Sequence, residues 1–327
     1  MTEKDITKVA VACQGGGSHT AFTAGVLKKI LREKEKDGEK SFEIVGLSGA
    51  SGGAISALLA WYGMLQNDSR KSIEMLDAFW DDIAAKSPWD RSINNWSVLY
   101  SRMQDWLPTP KLSPYDVPNW GQRYLRKTIE KYVDFHKIDE LLDERNPDMY
   151  VGTVCVRSGE FKTFKNEEID SDVLLASAAE PTIFRSVRMR DGIYWDGTFS
   201  HNPPLKNFHF GENVTKDSRP DQIWIIHINK DSVEEEPKSI AQIRHRRNSL
   251  AGNLSMHQEV DFLKKYSEWI REGYIPHKKF KPCDIKFIKM SRDLDKDSKL
   301  DRRKEFIDDL MSYGEEKADE FFDQVEL

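Results

Sequence analysis

The stretch IVGLSGASGGAISALLAW, residues 44–61, carries an apolar run into a helix-like pattern through a glycine-rich turn. Upstream, residues 8–14 form another short apolar run, and a second glycine-rich turn leads from it into a helix-like pattern at residues 21–36. The first sixty residues therefore read as strand, helix, strand, helix. Strands joined by a helix pair in parallel through a right-handed crossover. We predict an α/β fold, a three-layer α/β/α sandwich with a mainly parallel central sheet.

The same alternation continues along the chain. Strand-like runs lie at residues 149–156, 187–196, 222–228 and 284–290, and helix-like runs at residues 68–85, 172–179, 239–272 and 302–322. We predict one domain over residues 1–327, with a helical C-terminal region around 239–327.

Residues 80–120 break this pattern, because five of the nine tryptophans and five prolines fall there. Proline at this density excludes long regular elements. We predict an irregular insert around 80–120. It is either a hydrophobic cluster under a long loop or an acyl-binding lid or membrane-facing surface, since tryptophan suits interfaces.

Composition limits the classes of function. The formal net charge of −6 does not indicate a uniformly basic surface for nucleic acid. No run approaches the roughly 20 apolar residues of a membrane span, and the apolar run near the N-terminus is too short for a signal peptide. We expect a cytoplasmic protein with no nucleic-acid partner, which could contact membranes peripherally. Cys13, Cys155 and Cys283 are far apart and odd in number, so we expect buried free thiols.

The opening turn contains two serines in different contexts. Residues 49–53, GASGG, have the form G-x-S-x-G, which exposes a serine at a sharp strand-to-helix turn because glycines remove side chains that would clash. Ser51 is therefore the candidate nucleophile, with Gly49 and Gly53 shaping the elbow. Ser48 lacks the final glycine of the pattern, and we expect it to close the strand.

The earlier turn, GGGSHT at residues 15–20, is a candidate site for binding an anionic ligand or an oxyanion. Glycines bring backbone N–H groups close to an anion, and the following helix adds a partial positive charge. A phosphate cradle, a dinucleotide loop and an oxyanion hole are the alternatives. The Gly-Lys-Ser/Thr ending of a Walker loop is absent, and Thr20 stands where a dinucleotide fingerprint has glycine.

A serine nucleophile needs a base. None of the eight histidines lies in a clear catalytic loop; His201 follows Asp196 closely, and His227 lies in an apolar strand-like run. Asp196 and Gly197 follow a strand-like run, and the prolines after Asn202 fix the loop beyond. A carboxylate in such a rigid loop can be held in a fixed orientation toward a nucleophile. An Asp-Gly pair is nevertheless most often only part of a turn.

Together, these motifs resemble those of the patatin-like phospholipases, serine acyl hydrolases that use a Ser–Asp dyad. The matching segments are QGGGSHTAFTAGVL, GASGGAIS, ASAAEPTIF and WDGTFSHNPPL, in the family's order and wide spacing, and RRNSLAGNLSMHQEVDFL is similar to the helical tail of a bacterial branch. The resemblance covers roughly residues 9–262.

The resemblance implies a role for each motif. Ser51 would be the nucleophile and Asp196 the base that takes its proton. Oxyanion-hole N–H groups would come from Gly15, Gly16, Gly17 and Gly52. The substrate would be an acyl ester or a phospholipid, and no metal or organic cofactor is implied.

Two positions depart from the family pattern. Thr20 stands in the glycine loop, and Thr198 follows Asp196 and Gly197 in the acid-motif loop where glycine or alanine is usual. These departures motivate an alternative, a catalytically weak or inactive lipid- or acyl-binding protein of the same fold. A further alternative is a Ser–His–Asp triad that uses His201.

Overall fold

The computed structural model describes residues 6–36, 42–87, 90–92, 94–95, 113–190 and 192–327. About half of the predicted insert lies outside these residues, including Trp89, Trp96 and Trp106, and its role as a lid or membrane-facing surface stays a prediction. The fold is described from the remaining elements.

Eight strands form one sheet flanked by helices. The strands are β1 Thr7–Cys13, β2 Phe42–Gly49, β3 Asp148–Cys155, β4 Phe161–Lys165, β5 Val187–Met189, β6 Gly192–Asp196, β7 Gln222–His227 and β8 Asp284–Lys289. The α-helices are α1 Ala21–Lys34, α2 Ser51–Leu65, α3 Ser69–Ile83, α4 Trp120–Tyr132, α5 Ile138–Leu141, α6 Ser171–Ser177, α7 Asn207–Phe210, α8 Ile240–Arg271 and α9 Lys304–Gln324. Short 3-10 turns include Gly17–Thr20, Gly197–Phe199 and Lys296–Leu300.

The sheet order is β5-β6-β3-β2-β1-β7-β8, and β4 pairs with β3 off this path. The pairs from β3 through β2, β1 and β7 to β8 are parallel, whereas the pairs made by β4, β5 and β6 are antiparallel. The predicted mainly parallel α/β architecture is confirmed. The predicted single run at 187–196 is instead a hairpin of β5 and β6, which turns where Arg190 adopts a left-handed conformation with φ 49°.

Alternation along β1 produces the layers. Val9 and Val11 belong to the larger buried cluster, which includes side chains of α1, α2, α3, α6 and α9. Ala10 and Ala12 belong to a second buried cluster with side chains of α8. Because successive side chains of a strand point to opposite faces, each face of the sheet buries its own set of helices.

The contact between α1 and α9 depends on two glycines. A Cβ at Gly25 would lie 1.9 Å from the carbonyl oxygen of Met311, and a Cβ at Gly314 would lie 2.2 Å from that of Phe22. No side chain fits at such distances, so the two helix backbones touch directly. This contact joins a helix of the first βα unit to a helix almost 300 residues later, and the sequence analysis did not predict it.

Candidate active site

Ser51 lies at the sharp turn between β2 and α2. It is the first residue of α2 and has a positive φ of 52°, which is rare for a residue other than glycine and is typical of strained functional turns. A Cβ at Gly49 would lie 2.5 Å from Ala54 Cα, and one at Gly53 would lie 2.5 Å from the Cys13 carbonyl oxygen. The turn therefore needs glycine on both sides of the serine, as an elbow does.

The backbone of Ser51 is held from β3. Its N–H donates to Ser177 Oγ at 2.9 Å, and the Ser177 hydroxyl donates to the Gly152 carbonyl oxygen at 2.8 Å. Ser177 lies in the ASAAEPTIF segment that the sequence analysis noted without assigning it a role. Ser48, by contrast, is buried in β2 and donates to the Pro204 carbonyl oxygen at 2.6 Å, in keeping with a structural role.

Asp196 ends β6 and is 2% exposed. Its Oδ1 accepts the N–H of Thr198 at 2.8 Å. Burial raises the pKa of Asp196 to about 7, although Thr198 and the nearby Ser51 side chain oppose the rise; the charge of Glu180 adds to it. Ser51 and Asp196, 145 positions apart in the numbering, therefore lie close enough for the serine to influence the carboxylate.

The glycine loop lies against both residues. At Gly15, a Cβ would lie 3.0 Å from Ser51 Cβ and 2.8 Å from Thr198 Cγ2, which places the loop, the elbow and the acid-motif loop together. The N–H of Gly15 donates to Asn202 Oδ1 at 2.8 Å. This differs from the predicted role of Gly15 as an oxyanion donor, because the hydrogen is already engaged.

The other predicted donors are different. Within the described residues, the N–H groups of Gly16, Gly17 and Gly52 make no hydrogen bond to the protein. Gly52 is in the first turn of α2, where backbone N–H groups have no partner inside the helix. Three of the four predicted donors therefore have no partner among the described residues, and their role in binding an oxyanion stays a prediction.

The two departures from the family pattern fill space in the site. Thr20 Oγ1 donates to the Gly17 carbonyl oxygen at 2.6 Å and so ties the glycine turn to the start of α1. Thr198 is half-buried, and its methyl group packs against Gly15. Neither threonine displaces Ser51 or Asp196.

Helix α8 supports the loops that carry the site. Gln14 follows β1; its Oε1 accepts the N–H groups of Ile228 and Asn229 at 2.8 and 2.9 Å, and its Nε2 donates to Asn253 Oδ1 at 2.8 Å. From the acid-motif loop, Asn202 Nδ2 donates to the Gly252 carbonyl oxygen at 3.0 Å. The sequence analysis missed these supports because nothing near Gln14 or Asn202 in the sequence marks a partner on a distant helix.

Two histidines near the motifs have structural partners. His201 Nδ1 lies 2.5 Å from the buried carboxylate of Glu259, which also accepts the N–H groups of Leu205 and Lys206. Among the described contacts of His201 there is none with Ser51, so the triad alternative gains no support. His19 is buried; its Nε2 lies 2.7 Å from Ser298 Oγ, and burial lowers its pKa to about 3.

The described residues offer no metal cluster and no membrane span, and they contain no disulfide. In the part of the chain that the structure describes, no group of three or more His, Cys, Asp or Glu side chains could hold a metal ion. The described helices include none with the length and apolar character needed to span a bilayer. All three cysteines are free; Cys13 and Cys283 are buried, while Cys155 is half-buried.

The sequence matches the model of one known protein family. The family model described as patatin-like phospholipase matches residues 11–209, which is more than half of the chain and includes the glycine loop, the elbow and the acid motif. No curated protein matches the sequence.

Two solved structures are similar at low identity. One is VipD from Legionella pneumophila, at 12% identity and a TM-score of 0.43, with 97% of this chain and 67% of that chain covered. The other is the heterodimeric ExoU-SpcU complex from the type III secretion system of Pseudomonas aeruginosa, at 15% identity and a TM-score of 0.38. There the match covers 98% of this chain but only 51% of the other, so this chain spans about half of its length. On the strength of the family match, the chain belongs to the patatin-like phospholipase family.

Proposed function

We propose that this protein is a serine acyl hydrolase that cleaves the acyl esters of lipids with a Ser51–Asp196 dyad. One observation carries the proposal: a serine at a strained elbow lies near a buried carboxylate, beside backbone N–H groups that have no partner among the described residues. The family match supports lipid hydrolysis in general, and the dyad is the specific form that we propose.

The reaction divides into two steps. Ser51 Oγ attacks the ester carbonyl while its proton passes to Asp196, and the alcohol leaves with a proton returned by Asp196. Water, deprotonated by Asp196, then attacks the acyl-enzyme and releases the fatty acid and Ser51. The N–H groups of Gly16, Gly17 and Gly52 would stabilise the tetrahedral oxyanion, each being worth about 3–4 kcal/mol of the barrier.

A carboxylate can act as the base because of its burial. A general base works best when its pKa lies near the operating pH. The buried site raises the pKa of Asp196 to about 7, so the carboxylate is far more basic than one in water, and about half of it is ionised at neutral pH. No imidazole is required for the proton transfer.

The dyad is tested with Ser51→Ala and Asp196→Asn, assayed on a short p-nitrophenyl ester. We expect each variant to lose at least about 1000-fold in kcat, since removal of one member of a nucleophile–base pair disables the unit. Ser48→Ala is the matched control, because it removes a serine hydroxyl from the same segment that points to Pro204 instead of Asp196. Undiminished turnover by either folded dyad variant would end the proposal.

A second candidate is a lipid-binding protein with weak catalysis. It is favoured by Thr198, whose methyl group narrows the space beside Gly15 and Ser51. A fluorophosphonate probe, which reacts only with an activated serine, separates the two functions. Labelling of the wild type that disappears in Ser51→Ala supports the hydrolase, whereas tight lipid binding without labelling supports the binding protein.

A further inference from the structure

The first half of α8 lies against the acid-motif loop. The backbone N–H of Asn202 donates to Ser255 Oγ at 3.3 Å, and its side chain donates to the Gly252 carbonyl oxygen. Asn202 is six residues after Asp196 and also holds Gly15. One side of this part of α8 therefore lies against the loops that form the candidate active site.

The outer side of this part of α8 is apolar. Four large side chains are between 47% and 68% exposed: Ile240, Ile243, Leu250 and Leu254. Their spacing of three, seven and four residues places them on one helix face, and we call them the α8 stripe. Single exposed leucines need no explanation, but four on one face mark an interaction surface. Phe199, in the 3-10 turn directly after Asp196, is also more than half exposed.

The same segment is strongly basic. Residues 237–258 contain four Lys and Arg residues and no Asp or Glu, in a chain whose net charge is −6. Lys238 and Arg247 are exposed, and Arg247 falls on the α8 stripe between Ile243 and Leu250. Arg246 donates to the carbonyl oxygens of Lys230 and Asp231. An apolar stripe with basic residues and no acidic ones is complementary to an anionic surface.

We propose that the α8 stripe docks on the surface of an anionic phospholipid bilayer, with the helix lying in the interface. The inference rests on the proposed lipid hydrolase function and adds which surface meets the substrate. The apolar side chains would enter the boundary between head groups and acyl chains, while Lys238 and Arg247 would contact lipid phosphates. A second copy of the chain is the competing occupant, because the exposed Glu234, Glu235 and Glu236 just before the segment would pair with basic residues of that copy; sedimentation velocity separates the two.

Vesicle flotation tests the surface without depending on turnover. Vesicles of ether-linked phosphatidylcholine, with and without about 30% ether-linked phosphatidylglycerol, present the surface but no acyl ester to cleave. We expect the wild type to float with the anionic vesicles and much less with the neutral ones. Leu250→Asn/Leu254→Asn should lower the partition coefficient at least about tenfold, because two leucine side chains no longer insert.

The electrostatic attraction between the basic residues and the anionic lipids is tested separately. Arg247→Gln should lower partitioning on the anionic vesicles about fivefold, as expected for one basic residue near the surface, and binding should weaken as salt is added. Tyr274→Ser is the matched control, since Tyr274 is a more exposed apolar side chain beyond the other end of α8. It should bind vesicles like the wild type.

Several results would overturn the inference. They are equal flotation of the wild type and the double leucine variant, equal binding to neutral and anionic vesicles, or a wild-type dimer in sedimentation velocity that the double variant abolishes. Should circular dichroism show that the double variant is unfolded, Arg247→Glu decides, with an unchanged partition coefficient counting against the proposal. The p-nitrophenyl ester assay is run in parallel, so loss of the hydrolase hypothesis and loss of the docking surface are seen independently.

Discussion

Asp196 combines burial with a charge that catalysis would require. Transfer of a carboxylate out of water disfavours its ionised form, and the hydrogen bond from Thr198 and the nearby Ser51 side chain recover only part of that cost. Ser51 is strained as well, through its positive φ. Both residues of the proposed dyad are therefore held in states that the rest of the fold must stabilise.

The pH dependence of hydrolysis follows from the pKa of Asp196. Only the ionised carboxylate accepts the proton of Ser51, so kcat/KM should rise about tenfold per pH unit in the acid range and level off above about pH 7. Initial rates on a p-nitrophenyl ester from about pH 5 to about pH 9 measure this profile. A rate already constant at pH 5 would show that Asp196 is not the titrating base.

The contribution of Asp196 to folding stability should fall as the pH rises, whereas the rate of hydrolysis should increase. The pKa of Asp196 is about 7 in the folded protein, above its ordinary value of 3.8, so the folded state holds this proton more strongly. That contribution to stability is complete below about pH 4 and is lost as the pH rises to about 7. Asp196→Asn keeps the shape without the buried charge, and its unfolding free energy should exceed that of the wild type increasingly over this window, by at most about 4 kcal/mol. Urea denaturation at several pH values gives the difference, and a gap that does not change with pH would contradict the expectation.

At the scale of elements, the site is a junction of loops held by one helix. The glycine loop after β1 and the acid-motif loop after β6 are joined through Gly15 and Asn202, and α8 accepts from Asn202 and binds Gln14. The bonds from Gly15 to Asn202 and from Gln14 to Asn253 are buried, where a lost partner costs about 1–3 kcal/mol. The position of the oxyanion loop therefore depends on side chains that touch no substrate.

Asn202→Ala tests this dependence. Loss of the amide frees the N–H of Gly15 and removes the link to the Gly252 carbonyl oxygen, so the glycine loop can shift from Ser51. We expect kcat for a p-nitrophenyl ester to fall about 10- to 100-fold with a smaller change in KM, because a displaced loop weakens binding of the transition state. Asn248→Ala is the control: Asn248 is an exposed asparagine on α8. Equal kcat values for the two variants would exclude a positioning role for Asn202.

For the whole molecule, the elements outside the matched family region complete the structure. Strand β7 pairs with the central strand β1, and β8 pairs with β7. Helix α9 packs on α1 through Gly25 and Gly314, and His19 contacts Ser298. We retain the prediction of one domain over residues 1–327, which the shared sheet favours.

The contact between α1 and α9 predicts that one glycine-to-alanine substitution lowers the unfolding free energy, whereas a control substitution in another helix raises it. Gly25→Ala places a Cβ 1.9 Å from the Met311 carbonyl oxygen, so the helices must separate, and we expect a loss of about 3 kcal/mol or more in unfolding free energy. Gly252→Ala, also within a helix, meets nothing closer than 3.5 Å and should stabilise by up to about 1 kcal/mol. Thermal or urea denaturation of both variants measures the contrast. Similar effects from the two substitutions would show that the helix contact is not tight.

The features that could be predicted from the sequence are those that depend on residues close together in the chain. The elbow at Ser51, the glycine turn and the parallel βα pattern each depend on neighbouring residues, so motif and spacing were sufficient. The hairpin at 187–196 and the strand β4 were missed because short segments carry weak periodicity. Helix α4 was also missed, although at 13 residues it is not short. The links from Gly15 to Asn202 and from Gln14 to Asn253 join residues far apart in sequence, and only the completed topology brings them together.

The order of the supports along the chain has a consequence for biosynthesis. Every residue proposed for the chemistry precedes residue 209, whereas β7, α8 and the turn at Lys296–Leu300 are translated later. When the ribosome has just passed the acid motif, it has made Ser51, Asp196 and the glycines of the proposed oxyanion hole. It has not yet made Asn253 or strand β7, which pairs with β1. Such a nascent chain holds the reacting groups without the contacts that fix them. Hydrolytic competence should therefore arise late in translation, after the lipid-facing helix has itself been made.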